Sequence, residues 1–169
     1  MLVITAGLPG TGQSTVCRPL ARRTGAVHLR IDTIEQAVVH SGLAQHPVGP
    51  VGYSVGHALT RDFLRQGLSV VIDCVNPLAL TRNAWRQVAD DFQVPVLEVE
   101  VVCSDVVEHR RRAESRPEDI PGLVWPTWRE IMAREYETWT RDRLIIDTAT
   151  VRVPEAVERL TLAMQAAES

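Results

Sequence analysis

A chain of 169 residues with 45% hydrophobic and 23% charged side chains has material for one domain with its own core, without need of disulfides or a structural metal. Its net charge of −3 argues against a dominant electrostatic footprint for nucleic acid, and no run approaches the roughly 18–20 apolar residues of a membrane span. Cys17, Cys74 and Cys103 have no C-x-x-C spacing, which argues against zinc and against a disulfide framework.

The elements follow in order. LVITA (2–6) reads as a strand, then a glycine loop leads into a helix over 13–23 with Pro19 inside it, where a missing N–H should kink the chain. AVHLRI (26–31) is a second strand, followed by a short helix over 33–40, the Gly/Pro-bearing loop SGLAQHPVGP, and a helix over 52–66 closed by Gly67. SVVID (69–73), a helix over 79–92 and the strand VPVLEVEVVC (94–103) come next. A helix over 105–115 takes its cap from Ser104 or Asp105. The polar loop RPEDIPGLVWP precedes a helix over 128–139 whose capping box is Thr127 with Glu130. LIID (144–147) is the fifth strand, and Pro154 opens the last helix. Strands alternating with helices predict a three-layer α/β/α sandwich on a five-stranded parallel sheet. Residues 1–169 form a single domain, with a lid at about 112–127 and a segment covering an acceptor at about 33–66. The N-terminus MLVITAGLPG has no basic n-region, so cytoplasmic residence is expected.

Residues 7–14, GLPGTGQS, match G-x-x-x-x-G-K-[ST] at every fixed position except the lysine. They follow a strand and precede a helix, as a phosphate-binding P-loop requires. Gly7, Gly10 and Gly12, with Pro9 and Thr11 between them, allow backbone N–H groups to wrap a phosphate. Ser14 would place its hydroxyl on Mg2+, and Thr15 would reach the α-phosphate. At the lysine position Gln13 offers only an uncharged hydrogen bond to the β- and γ-phosphates. All 18 basic residues are arginine, so no distant lysine substitutes. Three readings stay open: an enzyme compensated by arginine, a nucleotide-binding pseudo-enzyme, or a deliberate substitution of lysine.

Two carboxylates end strands. Asp73 closes SVVID, where P-loop proteins hold a carboxylate near Mg2+; a turn cap with Asn76 and Pro77 is the alternative. Asp32, at the carboxyl end of the second strand, faces the crevice in which open α/β sheets bind ligands; it could also cap a helix. Asn76 and Arg82, just beyond the third strand, are weak candidates for acceptor contact.

With GLPGTGQST, RIDTIEQAV, VVIDCVNP and EHRRRAESRP together, the whole chain resembles the P-loop kinases grouped with chloramphenicol phosphotransferase and zeta toxins, and most of all the small actinobacterial "AAA-family ATPase" proteins of nucleoside-monophosphate-kinase-like fold. The resemblance implies ATP (or GTP) and Mg2+ as cofactors, with Ser14 and Asp73 at the metal. It implies Asp32 as the residue that binds or deprotonates an acceptor hydroxyl. Arg112 and Arg116 have the spacing of lid arginines, the first stacking on the base and the second approaching the transferred phosphoryl group, where Arg116 could compensate for Gln13; the alternative for Arg110, Arg111 and Arg112 is a solvated basic face. LIIDTATV resembles the segment that flanks adenine, with Asp147, Thr148 and Thr150 near the base. Tyr53, His57, Trp125 and Trp128 are candidates to line an acceptor pocket.

The expected function is ATP- and Mg-dependent phosphotransfer to a hydroxyl of a small molecule, a metabolite or an antibiotic. The rivals are a catalytically silent nucleotide-binding regulator and a toxin-like or polynucleotide 5′-hydroxyl kinase. Expected partners are the nucleotide and the small acceptor, without membrane or nucleic acid, on a monomer or homodimer.

Overall fold

The structure, a computed structural model, describes residues 1–168. Five parallel strands, β1 (Leu2–Ala6), β2 (Val27–Arg30), β3 (Val70–Asp73), β4 (Val96–Val102) and β5 (Leu144–Asp147), stand in the order β2-β3-β1-β4-β5. β1 pairs with β3 through Leu2–Val70 to Ile4–Ile72 and with β4 through Leu2–Val96 to Ala6–Glu100. Every residue of β1 is buried, as a continuous apolar run in a doubly covered sheet should be. The helices are α1 (Gln13–Thr24), α2 (Ile31–His40), α3 (Val51–Arg65), α4 (Ala79–Phe92), α5 (Val106–Glu114), α6 (Trp128–Ala133) and α7 (Val153–Glu168).

Side chains alternate across the strands and divide the core in two. Val3, Val71, Val99 and Ile146 pack with Leu20 of α1 and Leu160 of α7. Leu2, Ile4, Val70 and Ile72 pack on the other face with Leu64 of α3 and Trp85 of α4. The chain leaving β1 therefore goes to one face and the chain leaving β3 to the other. Between these two strands the winding reverses, and a crevice opens at their carboxyl ends, the usual ligand position of such sheets.

α1 runs from Gln13 to Thr24 with Pro19 inside it. One expectation is corrected. The helix expected over 128–139 stops at Ala133, although its capping box at Thr127 and Glu130 is present. The reason lies in β4, which buries Glu98 and Glu100 on the α4 side. The segment beyond α6 is extended and delivers cations to them: Arg141 binds Glu98 through Nε and Nη2, both at 2.6 Å, and Arg143 binds Glu100 at 2.8 Å. A helix continued to 139 would forgo those pairings, and an unpaired buried carboxylate is strongly unfavourable.

Candidate functional site

The chain leaves β1 at Gly7, where an added Cβ would run into the carbonyl oxygen of Val101, and turns at Gly10, whose φ of 89° lies in the left-handed region. Glycine is required for both reasons. The loop is braced from outside: Gly7 N–H donates to Val75 O at 3.1 Å, Thr11 Oγ1 to Leu8 O at 2.9 Å, and His109 Nε2 lies 2.9 Å from Pro9 O. His109 itself packs edge-on against Trp128, which places Trp128 behind the loop and not in an acceptor pocket. α1 starts with Gly12 at its N-cap and no side-chain cap, so first-turn amides are left for an anion. Ser14 and Thr15 line the cavity in front of them.

Gln13 lines the same cavity, but its amide is engaged with the sheet. Its amide nitrogen donates to Thr5 Oγ1 and, at 2.7 Å, to Cys74 O, while Thr5 Oγ1 donates to Ile72 O at 2.6 Å. Both amide hydrogens are thus committed to the ends of β1 and β3. The uncharged hydrogen bond expected from Gln13 to phosphate goes to the sheet in this structure.

The acidic end of the site is built on β2, β3 and α2. Asp73 is 4% exposed, and its Oδ2 sits 3.0 Å from His28 Nε2 and 4.0 Å from Arg30 Nε. Asp32 lies in the first turn of α2, whose N-cap is Arg30 with no side-chain capping bond, so the capping alternative is not realised. Burial pushes the Asp32 carboxyl up, with Arg30, whose Nη2 is 3.7 Å away, opposing. Glu35, one turn further on, lines the same wall; burial first and then the charge of Asp32 raise it to about 7 against Arg134.

Arg30 ties this wall to the lid. It is 7% exposed and grips Asp119 with Nη1–Oδ2 at 2.7 Å and Nη2–Oδ1 at 3.3 Å, while Arg18 Nη2 adds a contact at 3.2 Å. Burial would raise Asp119, but the hydrogen bonds from Arg30 and Arg18 outweigh it and hold the carboxyl below its usual range. Among the described residues Arg30 Nε has no hydrogen-bond partner. The lid is therefore latched over the crevice. Arg116 lies flat on Trp125, with its guanidinium carbon 3.4 Å from the ring centre, and burial, then the neighbouring Arg30, lower its proton affinity.

Arg112 forms the other side. Its Nε donates to Glu108 at 2.7 Å, Nη1 to Thr148 Oγ1 at 2.9 Å and Nη2 to Thr148 O at 3.2 Å. Thr148 Oγ1 in turn donates to Thr11 O at 2.6 Å, which binds the β5 end to the P-loop. α5 is capped by Asp105, not Ser104. Asp147 accepts from the N–H groups of Ser104 and Ala149 at 3.0 and 3.1 Å and so shapes the turn that carries Thr148 and Thr150.

P-loop, Asp32, Asp73, Arg112 and Arg116 line one cavity of about 440 Å3. A second, of about 610 Å3, shares Gly12, Thr15 and Arg112 with it and continues along Thr148 to Pro154. Tyr53 and Trp125 line the first. Three weak candidates are corrected. Asn76 is fully buried with a φ of 50°; its side chain donates to Thr5 O and its N–H to the Tyr53 hydroxyl. Arg82 is 2% exposed, donates to Glu137 O at 2.9 Å and stacks on Trp139 at 4.4 Å. His57 packs edge-on against Trp85 at 4.1 Å, outside both cavities, where burial and then Arg61 lower its proton affinity. Sequence reasoning missed Arg30, Glu35, His46 and Arg134 around the pocket, and Asp119 in the lid. Only the i, i+3 spacing of Asp32 and Glu35 in RIDTIE could have signalled one of them.

A parallel sheet wound from β1 to both faces, with a P-loop at its switch point and arginines closing over it, defines a P-loop NTPase fold of the kind found in small kinases. The chain belongs to the AAA domain family, whose model matches residues 2–134. Solved structures share the whole fold at low identity. A sugar kinase from Janibacter sp. HTCC2649 is 18% identical, with 98% of this chain and 94% of that one covered and a TM-score of 0.69. The Mycobacterium tuberculosis APS kinase CysC, in complex with AMPPNP and APS, is 17% identical over 97% and 96% with a TM-score of 0.68. A gluconokinase from Sinorhizobium meliloti 1021 is 17% identical over 97% and 96% with a TM-score of 0.61. No curated protein matches the sequence.

Proposed function

We propose that the protein is a nucleotide-dependent phosphotransferase that moves the γ-phosphoryl group of ATP to a hydroxyl of a small molecule. The observation that carries this reading is the convergence on one cavity of the P-loop, the strand-end carboxylates Asp32 and Asp73, and the lid arginines Arg112 and Arg116. The triphosphate would lie along the P-loop amides. The base would extend into the second cavity beside Thr148. The acceptor would enter between α2 and the lid, next to Asp32.

The donor set fits Mg2+. The Ser14 hydroxyl and the Asp73 carboxylate are the hard oxygens this ion takes, and it is ordinarily held by one or two such groups together with substrate phosphates. Bound there, Mg2+ would neutralise charge on the transferred group. The remaining work belongs to the chain: Asp32 orients the acceptor hydroxyl, Arg116 supplies charge at the travelling phosphoryl group, and the lid excludes water. A charged donor aimed at the transition state is worth on the order of 10²–10³ in rate, and Gln13 supplies none.

The direct test is titration of Mg·ATP into the wild type and Gln13→Lys, followed by ADP release with glucose, gluconate and chloramphenicol as probe acceptors. The expected outcome is binding by both proteins and acceptor-dependent ADP from both, faster in Gln13→Lys by on the order of 10²-fold. Failure of both to release ADP with these acceptors would sink phosphotransfer to them.

A second reading, a catalytically silent nucleotide-binding regulator, is favoured by one observation, the commitment of the Gln13 amide to Thr5 and Cys74. It predicts thermal stabilisation by nucleotide with turnover in Gln13→Lys alone.

A further inference from the structure

The cavity is lined by three carboxylates, and their surroundings differ. Asp73 is held by His28 at 3.0 Å, and Asp32 lies 3.7 Å from Arg30. Among the described residues Glu35 has no hydrogen bond or ion pair; Asp32 and Arg134 act on it only through space.

Its placement is nevertheless built. Glu35 follows Asp32 by one helical turn, so both project from the same side of α2. From the opposite side α3 presents Gly52, and a Cβ there would overlap Glu35 Cγ and Oε1. The backbone of Gly52 is helical and does not itself require glycine, which weakens a helix. The missing side chain is what lets the Glu35 carboxylate lie against α3 and face the cavity.

Resting on the phosphotransfer reading, we propose that Glu35 is the catalytic residue that takes the proton of the acceptor hydroxyl, while Asp32 orients that hydroxyl. The acceptor oxygen forms a bond to the γ-phosphorus. The bond from that phosphorus to its bridging oxygen breaks, its electron pair leaving with ADP. The hydroxyl proton passes to the Glu35 carboxylate and then to solvent.

The groups around Glu35 fit this division. Asp32 on α2 adds negative charge, Tyr53 on α3 is kept neutral by burial, and Arg134, beyond α6, opposes Asp32. His46 of the connecting loop and Arg116 of the lid line the same cavity, with His46 turned to Gln36 at 3.1 Å. Burial, then Asp32, bring Glu35 to about 7, where a carboxylate is both available and basic enough to accept a proton at neutral pH. Burial pushes the Asp32 carboxyl up as well, but its place beside the Arg30 guanidinium, 3.7 Å away, suits it to hold a hydroxyl.

The test compares wild type, Glu35→Gln, Glu35→Asp, Asp32→Asn and Gly52→Ala, with Mg·ATP and whichever probe of glucose, gluconate and chloramphenicol gives ADP, between about pH 5 and 9. Melting curves establish that each variant is folded. In the wild type, kcat/KM should rise through about 7 to a plateau. Glu35→Gln should lose that limb together with on the order of 10²–10⁴ in rate, without change in nucleotide affinity. Glu35→Asp should keep the limb at reduced rate, Gly52→Ala should shift it, and Asp32→Asn should raise the acceptor KM with the limb retained. A Glu35→Gln variant with an unchanged limb and rate overturns the assignment and leaves phosphotransfer standing. Mg·ATP binding without ADP from any of these proteins overturns phosphotransfer to these probes and the role of Glu35 with it.

Discussion

Two arginine-rich regions of this molecule differ in how completely their charges are answered. On β4, Glu98 is met by Arg141 through two hydrogen bonds of 2.6 Å and by Arg86 at 3.0 Å, and Glu100 by Arg143 and the Tyr136 hydroxyl. Around the crevice, among the described residues, Arg30 Nε makes no hydrogen bond, Glu35 has no ion pair, and Arg116 rests on a tryptophan face and not on a carboxylate. The first region has the chemistry of a structural ion network. The second holds charge that the chain answers only in part, and incompletely balanced charge in a cleft marks a functional site.

Breaking the satisfied network should have the largest effect. Arg141→Ala leaves Glu98, with its side chain 3% exposed, facing Arg86 alone, and removing one partner of a buried pair costs about 3–5 kcal/mol. Urea denaturation should report that loss while Mg·ATP affinity at the distant P-loop stays the same. A loss below about 1 kcal/mol would mean that Glu98 is in effect solvated.

In the crevice the same kind of change should be milder and local. Asp119→Ala removes the carboxylate that fastens the lid to Arg18 and Arg30, but Asp32 and Asp73 remain within 3.7 and 4.0 Å of Arg30, so a global loss of about 1–2 kcal/mol is expected. The distinguishing result is local: limited proteolysis between 115 and 127 should accelerate well beyond what the global loss explains. Equal proteolysis of both proteins would show that the lid stays shut without the latch.

The sequence carried the first region and the second unequally. All five strands, their parallel arrangement and the glycine loop were legible, because hydrophobic period and P-loop spacing are local signals; Asp32 and Asp73 were legible as strand-end carboxylates, and Arg112 and Arg116 as what the family resemblance implies. What escaped was long-range charge pairing. Nothing near Arg141 announces Glu98 as its partner, so residues 134–139 kept a helical reading that the pairings of the following segment overrule. Nothing near Arg30 announces Asp119, 89 residues away. Arg82 and Asn76 were misread for the same reason: proximity to β3 suggested the crevice, whereas Trp139 and Thr5 claim them from remote parts of the chain. Gln13 was expected to offer phosphate an uncharged hydrogen bond, but where its amide points depends on Thr5 and Cys74, and on the sheet pairing that brings Cys74 alongside.

The smallest effect should come from Glu35 itself, and its sign is fixed. Its carboxyl moves from an ordinary 4.5 to about 7 in the fold, so between those values the native state binds more protons than the unfolded chain, and stability falls as pH rises. Below about 4.5 both states hold the proton and the burden is absent; above about 7 it is complete and constant. Glu35→Gln cannot ionise, so its melting temperature relative to wild type should climb across that window and then level off. Because Glu35 is only half-buried, solvent screening limits the gain to a small part of what a fully enclosed carboxylate would give. A difference in melting temperature that does not change with pH would mean that Arg134 fully compensates the charge on Glu35. The crevice would then be as well paired at that position as β4 is at Glu98.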